Sequence, residues 1–346
     1  MIGKLIKQVT VFGMIWFVAM YLICIFLPFH YFNREYPMWK SKMDLMEEGP
    51  STYRNLVFGD SRAIAGLETK DLGESYFNMA LGGATPMEGY FMLKKMLENG
   101  KKIDTLIVSY SPIHFEQSEM FWDRQLKYGF YDMDDVDYIF NTMNTDNETF
   151  WAYDGPSHYE DGEKASFTRE AFLNIMRFPT EYRVELSKSF LLRGVTNFKI
   201  QEEIVQRRGS FDFGTAAFSN SLNVEAKRDS FRPKKVIVKS LRMLLDLADL
   251  NGIQVLYTHL PMNEASYQAL GKTYAKGVMQ LEEELRSEFP GVAFVNRSLY
   301  SYENRFFGDD SHLNVDGRKK FTEEFKSLVA NLPDAATDSF TQLTVE

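Results

Sequence analysis

A serine hydroxyl becomes a nucleophile only when a base takes its proton. An acyl-transfer site therefore needs Ser, His and a carboxylate that orients the His. The sequence offers five histidines. His30 ends the most apolar stretch, His158 lies in a polar region, and His114 and His259 each follow a predicted strand. His312 stands apart, because Gly308-Asp-Asp-Ser-His-Leu-Asn314 sets it in a loop just before the last predicted helix, with Asp309 three residues ahead. Far away in the chain, Gly59-Asp60-Ser61 closes the short apolar run Asn55-Leu-Val-Phe58. A serine there sits past the C-terminal end of a buried strand, where an open parallel sheet places its chemistry.

Other residue groups carry weaker chemistry. The run Asp132–Asp137 has the charge for a divalent cation but lacks the glycine-turned loop of a calcium site, so a solvated charged face is expected. Met87, Phe91, Met92 and Met96 recur at helical spacing and read as core. Trp122, Tyr128, Tyr131, Trp151 and Tyr153 have the type to stack on sugar rings, with core packing as the simpler reading. A net charge of -9 argues against a nucleic-acid partner, whose phosphates would call for Lys and Arg. The one cysteine, Cys24, excludes an intrachain disulfide and a multi-cysteine metal site. No cofactor is called for.

The elements that must position Ser61 and His312 can be read from apolar spacing. Extended segments are predicted at 55–58, 75–80, 104–109, 253–257 and 292–295, and helices at 86–99, 236–250, 272–288 and 315–332. Strands alternating with helices predict an α/β fold with a five-stranded parallel sheet covered on both faces. Residues 116–233 interrupt the alternation. They are too many for a crossover, and are read as a mostly helical insertion or cap within the same domain, with helices near 168–176 and 181–192.

Residues 9–30 contain no Asp, Glu, Lys or Arg, and about 20 such residues cross a bilayer as a helix. A cleaved signal would need a shorter apolar core and a small-residue cleavage site, which Pro28-Phe-His-Tyr-Phe-Asn33 does not supply. The expected layout is thus a cytoplasmic N-terminus at 1–8, a single membrane helix at 9–30, a connector at 31–53, a catalytic domain at 54–332 outside the cytoplasm, and a loose tail at 333–346.

Three blocks taken together resemble the SGNH (GDSL-like) hydrolases. They are Gly59-Asp60-Ser61 after the first strand, Asn78 with Gly83 after the second, and Asp309-x-x-His312 before the last helix. The resemblance implies a three-layer, flavodoxin-like fold with Ser61 as nucleophile, His312 as base and Asp309 as its orienting carboxylate. It also implies an oxyanion hole from the N–H groups of Ser61 and Gly83, with Asp60, Asn78 and Ser111 in support. Asp310 is expected to face solvent or cap. Two departures stand out. Arg62 replaces the Leu of GDSL, outside the nucleophile's role, and Ser111-Pro112 replaces the Gly-x-Asn of the third block, which leaves a third oxyanion donor unassigned between Ser109 and Ser111.

Within that class, Tyr110-Ser-Pro-Ile-His-Phe115, His259-Leu-Pro-Met-Asn263 and the N-terminal apolar segment are similar to the membrane-anchored D-alanyl transfer (DltD-like) proteins and the acyltransferases of exopolysaccharide O-acetylation. That similarity implies transfer of an acetyl or D-alanyl group to an envelope glycan or teichoic acid. It also implies a multi-pass membrane-bound O-acyltransferase (MBOAT) as partner. Hydrolysis by the same triad, or a catalytically silent scaffold subunit, are the alternatives.

Overall fold

The computed structural model describes residues 2–26, 34–49, 51–126, 128–151 and 195–332. The first helix, α1 (Ile2–Phe26), contains an 18-residue stretch, Ile2–Ala19, long and apolar enough to cross a membrane. Its apolar side chains, such as Phe12 and Ile15, stand exposed. It starts before the predicted span of 9–30, taking in Lys4 and Lys7.

The predicted connector, 31–53, instead contains a helix, α2 (Tyr36–Glu47), with Pro37 in its first turn. Trp39 is fully buried, with its ring 5.8 Å from those of Tyr128 and Phe130, and Met43 and Met46 are buried beside it. The folded domain therefore begins at α2 rather than at residue 54.

Five parallel strands form the main sheet: β1 (Asn55–Gly59), β2 (Tyr76–Asn78), β3 (Thr105–Ser109), β4 (Gln254–Tyr257) and β5 (Ala293–Phe294). Their spatial order is β2-β1-β3-β4-β5, so the chain reverses its direction of winding between β1 and β3. In a doubly wound sheet the crevice at such a reversal is where ligands bind. The register sets Leu56, Val57 and Phe58 beside Leu106, Ile107 and Val108. Alternate residues then serve opposite faces.

Leu56, Phe58 and Val108 join one core with α3 (Pro86–Glu98) and α4 (Lys235–Leu250). Val57, Ile107 and Leu256 join another with Phe321, Phe325 and Val329 of α6 (Val315–Ala330). A further helix, α5 (Lys272–Glu288), matches its predicted bounds. Burial on both faces is why these strands read as continuous apolar runs. The sequence carried no sign of a small second sheet, in which Met262–Asn263 pairs in parallel with Ser301–Tyr302. Its strands are only two residues long.

The first described stretch of the insertion, up to residue 151, shares the first core, whereas Phe211 and Phe213 of its second stretch pack on the other. Phe121, Phe130, Tyr131, Phe140 and Phe150 are buried in the first core, and the rings of Phe121 and Phe150 meet edge to face at 5.1 Å. Tyr128 and Tyr131 are thus packing residues, and Trp151 packs against the same core. The acidic run begins a helix, Met133–Tyr138, with Asp132 and Asp135 forming a capping box and Asp135 paired with Lys95. The predicted helices at 168–176 and 181–192, Tyr153 and the tail from 333 lie outside the described residues, and so does the side chain of Trp122.

Lys42 is 1% exposed, and burial alone brings its ammonium down from the ordinary 10.5 to about 7. Between those values the unfolded chain binds the extra proton, so stability rises with pH across that window. Lys42→Met is expected to flatten that rise. Urea unfolding midpoints at about pH 7 and about pH 9.5, compared between the two proteins, read it directly.

Candidate active site

The site is built at the C-terminal edge of the sheet, starting from Gly59. A Cβ at Gly59 would collide with the Ser109 carbonyl, so only glycine lets β1 and β3 end this close together. The next residue, Asp60, is fully buried and joins the two strand ends. Its Oδ1 accepts the Arg62 N–H at 2.7 Å, capping the six-residue helix that begins at Ser61, and its Oδ2 accepts the Ser111 N–H at 2.6 Å. Burial pushes the Asp60 carboxyl up. The nearby His114 and Arg62 charges and the Ser111 N–H and hydroxyl outweigh it and hold the group below the usual carboxylate range.

Ser61 then projects toward the other end of the chain. Its Oγ lies 2.8 Å from His312 Nε2, across 251 residues of sequence. His312 Nδ1 lies 2.8 Å from Asp309 Oδ2, while Asp309 Oδ1 accepts the N–H groups of Ser311 and His312 at 2.9 and 2.6 Å. Burial raises the Asp309 carboxyl. The bond and charge of His312, with those two N–H groups, bring it below its ordinary value. An ionised carboxylate only accepts, so Nδ1 carries the proton, and in the neutral ring Nε2 is then the acceptor for the Ser61 hydroxyl. The three residues therefore form one directed relay from Asp309 through His312 to Ser61.

The loop that carries Asp309 and His312 is held from several sides. Asn314 caps α6 by accepting the Gly317 N–H, and its amide donates to the carbonyls of Arg305 and Ala216. Asn263 donates to the carbonyls of Asp310 and Ser221. The end of the insertion laces across this edge. Gly214 and Gly308 meet backbone to backbone, so that a Cβ on either would collide with the other. The Phe213 ring lies over the His312 imidazole at 4.8 Å, tilted by 32°.

The Asn78–Gly83 block lies along β1 on the side opposite β3. Leu81 N–H donates to the Gly59 carbonyl at 3.0 Å, and a turn closed by Ala84 N–H on the Leu81 carbonyl follows. Gly83, at φ 73°, takes the left-handed position of that turn, which glycine adopts without steric cost. Asn78 braces the turn. Its amide donates to the Ala63 carbonyl at 2.9 Å and its oxygen accepts the Ala80 N–H at 3.1 Å. Ser111 likewise serves Asp60, through its N–H.

Sequence reasoning passed over several neighbours. Arg62 is not a neutral replacement, because the residue is 8% exposed and its guanidinium pairs with Glu225 of the insertion. His114 is buried with its Nε2 3.7 Å from Asp60 Oδ2. Tyr110-Ser-Pro-Ile-His114 therefore supplies two groups around one carboxylate. His259, also buried, faces Glu282 at 3.6 Å, and burial brings its ring down to about 4. Among the described residues no group of three or more His, Cys, Asp or Glu could hold a metal ion. A cavity of about 390 Å³, lined in part by Asn144, Glu148, Lys235 and Arg242, contains none of the residues described above.

No protein-family model matches the chain, and no curated protein matches it.

The Arg62–Glu225 pair is buried on both sides, so removing one partner leaves an uncompensated charge. Glu225→Gln and Arg62→Met are each expected to cost about 3 to 5 kcal/mol in urea unfolding. The double variant Arg62→Met/Glu225→Leu should recover most of that loss, and a double variant as unstable as the singles would count against the pair.

Proposed function

We propose that this chain is an SGNH-type serine acyltransferase held in a membrane by α1, with its α/β domain on the extracytoplasmic side. It carries an acetyl or D-alanyl group from an MBOAT partner to hydroxyls of an envelope polysaccharide or teichoic acid. The observation that carries the reading is the relay Asp309–His312–Ser61, with both hydrogen bonds at 2.8 Å. The β1/β3 reversal beneath Ser61, the exposed apolar α1 and the resemblance of the three sequence blocks support it.

In the first half-reaction the Ser61 hydroxyl gives its proton to His312 Nε2 as Oγ attacks the carbonyl carbon of the acyl donor. The tetrahedral oxyanion is met by the N–H groups of Ser61 and Gly83. Each such donor is worth about 3 to 4 kcal/mol in the transition state. As the intermediate collapses, His312 returns the proton to the leaving group and the acyl group stays on Ser61 as an ester. An acceptor hydroxyl then gives its proton to His312, attacks the ester and leaves with the acyl group. The proton on His312 finally restores the Ser61 hydroxyl. Asp309 holds the ring in the required tautomer and steadies the imidazolium in both halves.

Two measurements test the proposal. A fluorophosphonate should label Ser61 in the full-length protein, and labelling should vanish in Ser61→Ala and His312→Ala. It should slow by about 10³- to 10⁴-fold in Asp309→Asn, where the tautomer is lost. Folded protein that takes no label would sink the acyl-transfer reading in favour of a silent scaffold. Acyl groups on the envelope polymer should fall in cells carrying only Ser61→Ala, whereas a rise would mean that the same triad hydrolyses them.

A further inference from the structure

The oxyanion donor expected at Gly83 is not a free-standing group. Its N–H belongs to the peptide unit that joins Gly82 to Gly83. A trans peptide is planar, with C=O and N–H pointing opposite ways, so whatever holds the Gly82 carbonyl also sets the direction of the Gly83 N–H. Both central residues of this turn are glycine, and glycine lifts the steric penalty that would otherwise resist flipping the peptide. The turn needs a clamp from elsewhere.

That clamp is Arg124, whose Nη1 donates to the Gly82 carbonyl at 3.0 Å. A guanidinium donor makes the bond charge-assisted. A cation on the carbonyl side also polarises the amide and strengthens its N–H as a donor. Arg124 comes from a single π-helical turn, Phe121–Leu126, in the insertion. Met120, just before that turn, packs on Gly83, where a Cβ would come within 2.8 Å of its Cγ.

Arg124 is itself engaged from the N-terminal side. The Glu35 carboxylate lies 3.8 Å from Nη1, and both groups reach over the Gly82 Cα. Glu35 is the N-cap residue of α2, the first described element after α1. Helix α2 also holds a peptide two units earlier. Lys42 Nζ donates to the Ala80 carbonyl, and the N–H on the far side of that peptide, Leu81, is bound to Gly59.

We propose that Arg124 is a positioning residue that holds the Gly82–Gly83 peptide with its N–H toward the oxyanion of the Ser61 reaction, and that Glu35 couples this setting to the chain leaving α1. The inference rests on the acyl-transfer reading of Ser61. It gives the insertion and the juxtamembrane segment a common task, which is to keep one peptide from turning over.

The test uses full-length protein in detergent micelles and a fluorophosphonate probe. The limiting labelling rate, the half-saturating probe concentration and the thermal midpoint are measured for the wild type, Arg124→Gln, Arg124→Lys and Glu35→Gln. Arg124→Gln should lower the limiting rate at least about tenfold, as expected for a misaimed oxyanion donor. Its half-saturating concentration and midpoint should stay close to those of the wild type. Arg124→Lys should recover part of the rate, and Glu35→Gln should show a smaller loss. Arg124→Gln reacting at the wild-type limiting rate would overturn the inference and leave the reading of Ser61 intact. A rate loss matched by a fall in midpoint and unrecovered by lysine would reduce Arg124 to a packing residue. A wild-type protein that takes no label at Ser61 would overturn the functional reading, and this inference with it.

Discussion

The C-terminal edge of the sheet depends on one carboxylate. Asp60 is fully buried and uses one oxygen to start the helix at Ser61 and the other to hold the loop after β3. A buried carboxylate is costly unless its lone pairs are filled, so the groups that fill them are fixed in return. Two N–H groups, the Ser111 hydroxyl and the neighbouring charges of His114 and Arg62 do so here. The direction in which Ser61 leaves β1 is therefore set from below, before any contact with His312. Through Arg62 the same constraint reaches Glu225, and so fastens the insertion to the helix that begins at Ser61.

The two halves of the site are held by different means. Asp309 and His312 are three residues apart, and the loop between them orders itself through its own N–H groups on Asp309. The turn at Gly82–Gly83 is closed internally by one bond, Ala84 N–H on the Leu81 carbonyl, and no side chain of its own braces it. It is shaped by groups from outside, with Asn78 below it, Lys42 on the Ala80 carbonyl, and Arg124 with Met120 above. Such a turn takes its shape from whatever surrounds it.

How much of this was legible in the sequence follows from where each signal lies. The five strands and the four long domain helices reported themselves through local apolar spacing, and the meeting of Ser61, His312 and Asp309 through residue types at motif spacing. Helix α2 was hidden because Lys40, Lys42 and Asp44 break its apolar stripe, although Lys42 is itself buried. Arg62 looked incidental because its partner lies 163 residues away. Phe213 on His312 and Arg124 on Gly82 are equally non-local, and each sits in a stretch with no periodicity. Only the φ-positive glycine at 83 could have hinted that something must come to cover that turn.

Ser61 and His312 are joined by a hydrogen bond that closes 251 residues of chain. Contacts of such separation form late, because the loop-closure cost comes before the contact rewards it. During synthesis the serine emerges long before the histidine, and domains fold as units from the N-terminal side. A nascent chain that displays Ser61 therefore still lacks its imidazole partner. The Ser61–His312 contact is made only when the loop before the last helix docks.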